Sequence, residues 1–376
     1  MKIIADENMP NVVSLFSDLG DVTLVNGRSL TKEQLMDADI LLVRSVTKVN
    51  EALLSGTPVK YVGSATIGTD HIDTNYLTEQ GIGFNSAPGC NADAVADYVF
   101  SALSYLYMTK GVRWLDARIG VVGQGNVGRC VASRFVALGC EVVAYDPFLQ
   151  KSVPGVALTD LKDVMDCNVV CLHAPLTKTG LYPSFDMISD EYVNKLKSGQ
   201  TIISAGRGGV INEPALIKQF HALDGKLNLA LDVWLGEPHP NMELAALCDI
   251  ATPHIAGYSK QGREKGTWYI YQSVCQFFDI SPKSSFADAI SQGSICEIKM
   301  NSSLERDETI ARAIQSVFDV ARDSSRFKHV MSSGMDRGFD WLRKNYVERD
   351  EFNTTLVKHP KYSRELHALG FLQNSQ

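Results

Sequence analysis

Three polar side chains have the types that hydride transfer at a secondary alcohol requires: Arg207, Glu237 and His254. The guanidinium of Arg207, which lies between glycines, can bind a substrate carboxylate through two parallel hydrogen bonds. The imidazole of His254 can accept the hydroxyl proton, and Glu237 can orient that imidazole and stabilise its protonated form. Each residue alone has a plain alternative: a surface arginine, a turn residue before a proline, or a packing histidine. Together, their types and order predict a catalytic set for the oxidation of a 2-hydroxy acid.

A glycine-rich turn, G-x-G-x-x-G at residues 123–128 (the glycine turn), precedes these three side chains. It follows the apolar run 119–122 and opens a helical pattern, and Asp146 ends the next apolar run. Such a turn binds a dinucleotide, because N–H groups at the helix N-terminus face the pyrophosphate and an acid about 20 residues further on binds the ribose. No arginine follows Asp146 directly, so NAD is favoured over NADP; the alternative is a glycine turn that binds nothing. The predicted cofactor contacts here are Gly123, Gly125, Asn126, Val127, Gly128 and Asp146.

The composition is that of a globular protein, with 376 residues of which 45% are hydrophobic and 21% charged. A net charge of −7 and the lack of a basic run argue against a nucleic-acid partner. The eight cysteines form no CxxC pair, so we expect buried reduced thiols and no metal site. Acidic residues at positions 6 and 7 precede any apolar signal core, and no apolar run is long enough to span a membrane. The predicted location is the cytoplasm, without a membrane partner.

Short apolar runs alternate with helical patterns through residues 1–280, which predicts doubly wound parallel sheets of the α/β class. The alternation restarts after a long helix from about Asp93 to Lys110, and a second long helix covers about 261–280. We therefore predict two Rossmann-like domains, one inserted in the other, and a C-terminal α+β domain. The predicted substrate-binding domain comprises 1–92 and 255–284, the NAD-binding domain 93–254 and the C-terminal domain 285–376. The predicted strands are 2–5, 21–25, 40–43, 61–64, 83–85, 118–123, 141–145, 169–173, 201–204, 229–232 and 249–252.

Five blocks of the sequence resemble the ordered motifs of the D-isomer-specific 2-hydroxyacid dehydrogenases. The blocks are the glycine turn with Asp146 and the segments 173–177, 204–209, 232–238 and 252–257. The resemblance implies an NAD-dependent dehydrogenase with Arg207 as the carboxylate anchor, His254 as the acid/base and Glu237 as the partner of that histidine. The further cofactor contacts that it implies are Pro175, which lines the cleft, Asp232 at the nicotinamide end, and Gly257.

One branch of that family resembles this chain more closely, at segments 6–10, 43–50, 68–73, 87–92, 254–258 and 342–346. The resemblance implies oxidation of a small phosphorylated 2-hydroxy acid during pyridoxal 5′-phosphate biosynthesis, and a homodimer held by the C-terminal domain. We predict that Ser45, Thr66 and Tyr258 contact the substrate. Ser45 and Thr66 have the alternative of only capping helices. Arg44 and Lys48 are the cations nearest to Ser45 in the sequence, and they could be solvated loop charges.

Two alternatives to this function stay open. The chain could be a sibling dehydrogenase for glycerate or 3-phosphoglycerate, or a non-enzymatic NAD-sensing regulator with the same fold. The presence of all three catalytic residue types and the lack of a basic or adaptor-like segment favour an enzyme. The segment 179–186 resembles the wider family less closely than the other blocks do. This difference affects the expected conformation of a loop and leaves the expected chemistry unchanged. An aromatic stripe near the C-terminus, Phe339, Trp341 and Phe352, is expected in the core.

Overall fold

The computed structural model describes residues 1–335 and 337–373, and the chain forms two compact units. The first unit comprises Met1–Asn91 and Ser259–Gln292, and the second comprises Ala92–Tyr258 and the residues from Gly293 onward. Residues 293–373 (the C-terminal segment) therefore belong to the second unit. The predicted three-domain division stays a prediction, and Asp336 and the last three residues of its final range lie outside the described residues.

Strands and helices alternate along the chain. The strands are β1 (Lys2–Asp6), β2 (Asp21–Val25), β3 (Ile40–Val43), β4 (Tyr61–Ser64), β5 (Gly83–Asn85), β6 (Arg118–Val122), β7 (Glu141–Tyr145), β8 (Val156–Leu158), β9 (Val169–Leu172), β10 (Thr201–Ser204), β11 (Asn228–Leu231), β12 (Ile250–Ala251), β13 (Glu297–Lys299) and β14 (Leu356–Lys358). The helices are α1 (Val12–Phe16), α2 (Glu51–Leu54), α3 (Thr74–Glu79), α4 (Ala92–Lys110), α5 (Asn126–Ala137), α6 (Leu161–Met165), α7 (Asp190–Val193), α8 (Glu213–Ala222), α9 (Met242–Leu247), α10 (Lys260–Phe277), α11 (Phe286–Ala289), α12 (Arg306–Val317), α13 (Val320–Ser332), α14 (Gly338–Lys344) and α15 (Ser363–Ala368). Short 3-10 turns lie at Lys32–Leu35, Trp114–Asp116 and Phe352–Thr354.

The first unit is built on a parallel sheet of five strands in the order β2-β1-β3-β4-β5. Its central strand β3 has the sequence Ile-Leu-Leu-Val and is buried throughout, as expected for a strand of a parallel sheet that is covered on both faces. Helix α10 begins after Ser259, whose side chain accepts a hydrogen bond from the N–H of Gly262. This sheet places Ser45 and Thr66 just beyond the carboxyl ends of β3 and β4.

The second unit is built on a parallel sheet of seven strands in the order β12-β11-β10-β9-β6-β7-β8. The strand order reverses between β6 and β9, where Val122 pairs with Leu172 at the carboxyl ends. Open α/β sheets bind their ligands at such a switch point. The glycine turn follows β6, Asp146 follows β7, Arg207 follows β10 and His254 follows β12. The topology therefore brings these predicted site residues to one edge of the sheet.

The C-terminal segment packs on helix α4 of the same unit through α12 and α13. A buried charged network joins them. Arg134 Nη1 donates to Asp97 Oδ1 at 2.6 Å, and Arg349 Nη1 lies 4.0 Å from Asp97 Oδ2. The backbone N–H of Phe352 donates to that second oxygen at 3.0 Å. Strands β13 and β14 form a separate parallel pair. The segment is therefore part of the core of the second unit.

Most of the predicted elements are present. Every predicted strand is confirmed, with ends that differ by at most one residue, whereas the short strands β8, β13 and β14 were not predicted. Phe339 and Phe352 are buried as expected, but Trp341 is 39% exposed, so the prediction was wrong for that ring. The eight cysteines are free; burial is wrong for Cys296, which is exposed, and incomplete for Cys130 and Cys140.

The described residues include neither a membrane-spanning helix nor a cluster of metal ligands. Among residues 1–335 and 337–373, no helix combines the length and the apolar character needed to cross a membrane. The same residues contain no group of three or more His, Cys, Asp or Glu side chains that could hold a metal ion.

Candidate active site

The glycine turn connects β6 to α5 so tightly that a side chain would not fit at Gly123 or Gly128. Gly123 has φ +87°, and a Cβ there would lie 2.8 Å from a backbone nitrogen just beyond β9. A Cβ at Gly128 would collide with the carbonyl oxygen of Gly123. A Cβ at Gly125, in contrast, would meet open space. Helix α5 begins at Asn126, so the unpaired N–H groups of its first turn, including that of Val127, lie beside this opening.

A cleft of about 470 Å³ lies beside the glycine turn within the second unit. Asp146 lines it, and its carboxylate accepts hydrogen bonds from the N–H groups of Gln124 (2.9 Å) and Phe148 (3.1 Å). Pro175 and His173 also line the cleft. Burial lowers the pKa of His173 to about 4, so its ring is neutral at physiological pH. An open glycine, free N–H groups and an acid at the end of β7 fit a dinucleotide.

His254 and Glu237 form a hydrogen-bonded pair. Nδ1 of His254 lies 2.8 Å from Oε2 of Glu237. Because a carboxylate can only accept, Nδ1 carries the hydrogen, and Nε2 is left to bind a proton. The other oxygen of Glu237 accepts the N–H of Trp234 at 2.9 Å. Burial alone would raise the pKa of Glu237, but the bond and charge of His254, the Trp234 N–H and the charge of Arg343 together lower it. Glu237 is therefore ionised at neutral pH.

Residues 252–257 (the His254 loop) are held by a buried carboxylate. Asp232 is 1% exposed, and its oxygens accept hydrogen bonds from the Thr252 hydroxyl (2.6 Å) and from the N–H groups of Ile255 (2.7 Å) and Ala256 (2.8 Å). These bonds stabilise a backbone in which His254 has φ +58°, a conformation uncommon outside glycine. The carboxylate that was expected to approach the nicotinamide is thus turned toward the loop. Its contact with the cofactor stays a prediction.

Arg207 lies at the same edge of the sheet but makes few contacts. Its side chain is exposed, and Nη1 donates to the carbonyl of the adjacent Gly206 at 2.8 Å. The loop itself is closely packed, because a Cβ at Gly208 would collide with the carbonyl of Trp234. Arg207 therefore extends from a fixed backbone, and its guanidinium is paired with no carboxylate in the described part of the chain.

The predicted substrate residues belong to both units. In the first unit, Ser45 is exposed, and the hydroxyl of Thr66 lies 2.8 Å from that of Ser64. The Ser64 hydroxyl lies 3.1 Å from Nε2 of His71, and the Thr66 hydroxyl donates to the carbonyl of Gly68 at 3.3 Å. Thr66 therefore belongs to a short hydrogen-bonded network that the motifs did not indicate. Tyr258 belongs to the second unit and is half-buried at the end of the His254 loop.

Two residues that support the His254 loop were not predicted from motifs. Nη2 of Arg349 donates to the carbonyl oxygens of Ala94 (2.7 Å) and Ala256 (2.8 Å), next to Gly257, a predicted cofactor contact. The hydroxyl of Tyr98 lies 2.9 Å from the hydroxyl of Thr252, the first residue of the loop. The C-terminal segment therefore binds the loop that carries the histidine. No local sequence pattern predicts these hydrogen bonds, because the bonded residues are far apart in the sequence.

Comparison with known proteins assigns the family. Residues 107–256 match the family model of the D-isomer specific 2-hydroxyacid dehydrogenase NAD binding domain, and residues 290–370 match that of a domain of unknown function. A protein of Marinomonas sp. (strain MWYL1) named erythronate-4-phosphate dehydrogenase is 55% identical over 99% of both chains. Proteins of that name from Tolumonas auensis and Yersinia pestis are 40% and 42% identical, over 99% and 95% of both chains. The chain belongs to the D-isomer-specific 2-hydroxyacid dehydrogenase family.

Solved structures related to this dehydrogenase family share the fold. A D-lactate dehydrogenase from Aquifex aeolicus, complexed with NAD and lactic acid, is 23% identical with a TM-score of 0.59, over 74% of this chain and 96% of its own. An NAD⁺-bound 3-phosphoglycerate dehydrogenase from Entamoeba histolytica is 25% identical with a TM-score of 0.62, over 74% and 95%. The predictions of a Rossmann-like α/β fold, of a 2-hydroxyacid dehydrogenase and of NAD as its cofactor are confirmed.

Proposed function

We propose that this dehydrogenase oxidises 4-phospho-D-erythronate to (R)-3-hydroxy-2-oxo-4-phosphooxybutanoate in pyridoxal 5′-phosphate (vitamin B6) biosynthesis. The observation that carries the proposal is the 55% identity, over 99% of both chains, to a relative named erythronate-4-phosphate dehydrogenase. That match includes the C-terminal segment. About a quarter of this chain, in contrast, is left uncovered by the solved D-lactate dehydrogenase.

In the proposed reaction, His254 is the general base. Its Nε2 accepts the proton of the C2 hydroxyl, and Glu237 at Nδ1 stabilises the positive charge that develops on the ring. General-base catalysis of this kind contributes about 10²–10⁴ in rate. Arg207 binds the substrate carboxylate through two hydrogen bonds and polarises the carbonyl that forms at C2.

The proposed cofactor site combines the glycine turn, the cleft beside it and the His254 loop. Bound NAD supplies the hydride acceptor. The N–H groups that begin α5 bind the pyrophosphate, and Asp146 accepts hydrogen bonds from the ribose hydroxyls. Each oxygen of Asp146 has one N–H donor already and keeps a further lone pair for this purpose. The residues proposed to contact the cofactor are Gly123, Gly125, Asn126, Val127, Gly128, Asp146, Pro175, Asp232 and Gly257.

The proposed substrate contacts are the hydroxyls of Ser45, Thr66 and Tyr258. Ser45 and Thr66 follow the carboxyl ends of two neighbouring strands, which is where open α/β sheets bind ligands. Ser45→Ala and Thr66→Ala should each raise the KM for 4-phospho-D-erythronate more than that for D-erythronate. An unchanged KM for both acids in both variants would exclude these contacts.

The proposal also includes a homodimer formed through residues 285–376, the three-domain division given above and a cytoplasmic location. Exposed apolar side chains on the C-terminal segment, among them Trp341, Val347 and Leu372, support a partner surface there. Sedimentation of the full-length enzyme should give twice the chain mass of 41.3 kDa. A monomer over the concentration range of the assay would contradict the dimer.

NADH formation with three acids tests the proposed function: 4-phospho-D-erythronate, D-glycerate and 3-phosphoglycerate. We expect the highest kcat/KM with 4-phospho-D-erythronate. A higher value with either of the other acids would identify a sibling dehydrogenase instead. NAD binding without turnover of any 2-hydroxy acid would favour the regulator.

A further inference from the structure

Helix α14 of the C-terminal segment is fixed against the residues that carry Glu237. Phe339 of α14 meets Phe327 at a ring distance of 6.2 Å, and Phe327 stacks on Trp234 at 5.7 Å. The N–H of Trp234 in turn binds Glu237. Two consecutive aromatic contacts and one backbone hydrogen bond therefore link α14, with Arg343 near its end, to the acid of the acid–base pair.

Among residues 1–335 and 337–373, no carboxylate lies within ion-pair distance of the Arg343 guanidinium. Its guanidinium carbon lies 5.8 Å from the centroid of the Tyr258 ring and 6.0 Å from that of Phe339. Its Nε is buried and has no hydrogen-bond acceptor in the described part of the chain. The positive charge also contributes to the lowered pKa of Glu237. A partly buried guanidinium with unused donors is an arrangement that an anion would complete.

The proposed substrate has two anionic groups, and Arg207 can neutralise one of them. Its carboxylate is adjacent to the reacting C2, whereas its phosphate is at the far end of the four-carbon chain. Arginine suits a phosphate because its planar fork donates two hydrogen bonds at once. We propose that Arg343 binds the 4-phosphate of the substrate and thereby selects the phosphorylated acid; this inference rests on the proposed function. The ring of Tyr258 orients the guanidinium from one side.

The test compares two substrates in the full-length enzyme with Arg343→Met. The KM for 4-phospho-D-erythronate should rise about 10- to 100-fold, the range for loss of hydrogen bonds to a charged group. The kcat/KM for D-erythronate, which lacks the phosphate, should change far less than that for 4-phospho-D-erythronate. Arg343→Lys keeps the charge but not the fork and should give a smaller rise in KM. Lys344 is an exposed neighbour on the same helix, so Lys344→Met is the matched control. It should leave the kcat/KM for both substrates unchanged.

Inorganic phosphate gives a second readout. It should inhibit the wild-type enzyme competitively against 4-phospho-D-erythronate, and this inhibition should be lost in Arg343→Met. If Arg343→Met lowers kcat/KM equally for both substrates and shifts the pH profile of both, Arg343 acts through Glu237 and the inference is overturned. If Arg343→Met fails to bind NADH and is therefore misfolded, the ratio of the two kcat/KM values in Arg343→Lys decides: an unchanged ratio overturns the inference. A wild-type enzyme that does not oxidise the phosphorylated acid refutes the proposed function itself.

Discussion

His254 and Arg207 follow strands of the same sheet, yet the protein holds them in opposite ways. The His254 loop is bonded by the buried carboxylate of Asp232 and by the guanidinium of Arg349, and its imidazole is bonded by Glu237. Arg207 is exposed and donates to a carbonyl beside it in the chain. The group proposed to accept a proton is therefore preorganised, whereas the group proposed to bind the carboxylate can reorient without breaking a tertiary contact. Changes near His254 should act on kcat, and changes at Arg207 should act mainly on KM.

Replacing the base should have the largest effect. His254→Gln should lower kcat about 10²–10⁴-fold, because general-base assistance is lost while the loop keeps its backbone bonds. Steady-state NADH formation measures kcat, and fluorescence titration with NADH provides the control, which should be unchanged. If the variant retains most of the wild-type kcat, His254 is not the general base.

Arg207→Lys tests the proposal that the weakly held arginine acts mainly in substrate binding. The kcat/KM should fall about 10- to 100-fold, since lysine keeps the charge but loses the two parallel hydrogen bonds to the carboxylate. Most of this loss should appear in KM. Arg312→Lys, at an exposed position of α12, is the control and should behave as wild type. A loss confined to kcat would mean that Arg207 is as preorganised as His254.

Glu237→Gln should lower kcat about tenfold at neutral pH, because a neutral amide stabilises the protonated imidazole less than a carboxylate does. The substitution should also change acid stability. The pKa of Glu237 is lowered in the folded protein from 4.5, so its contribution to the free energy of unfolding is full above that pH and is lost as the pH falls through the lowered value. Urea unfolding below pH 4.5 should therefore depend less on pH in Glu237→Gln. Glu297→Gln, at an exposed site, should keep the wild-type dependence.

Arg349→Lys should have the smallest effect on turnover. It tests whether a residue outside the His254 loop helps to hold that loop. A lysine can replace only part of the bonding to Ala94 and Ala256, so the free energy of unfolding should fall by about 1–3 kcal/mol. The loosened loop should lower kcat a few-fold without changing KM. Arg322→Lys, at a less buried position of α13, is the control. A change in KM alone would show that Arg349 does not position the histidine.

The placement of the candidate site residues could be predicted from the sequence, because the glycine turn, Asp146, Arg207 and His254 follow the carboxyl ends of recognisable strands, whereas their roles stay predictions. The residues that hold them could not. Arg349 binds Ala256 across 93 positions of sequence, and such a bond leaves no periodic or local trace. The inward turn of the Asp232 carboxylate is decided by the backbone donors that surround it.

The same limit applies to the missed parts of the fold. Strand β8 and the pair β13–β14 each have three residues, too few for an apolar pattern to be recognised. The exposure of Trp341 depends on which side of α14 faces Phe327, and the spacing of aromatic residues does not specify it.

The bond from Arg349 to Ala256 has a consequence for protein synthesis. Ribosomes build a chain from its N-terminus, so the histidine and every group proposed to touch the coenzyme are made long before residue 349 leaves the exit tunnel. Until then, the carbonyl of Ala256 lacks this donor. A nascent chain should therefore acquire its full turnover late, only once residue 349 has left the ribosome.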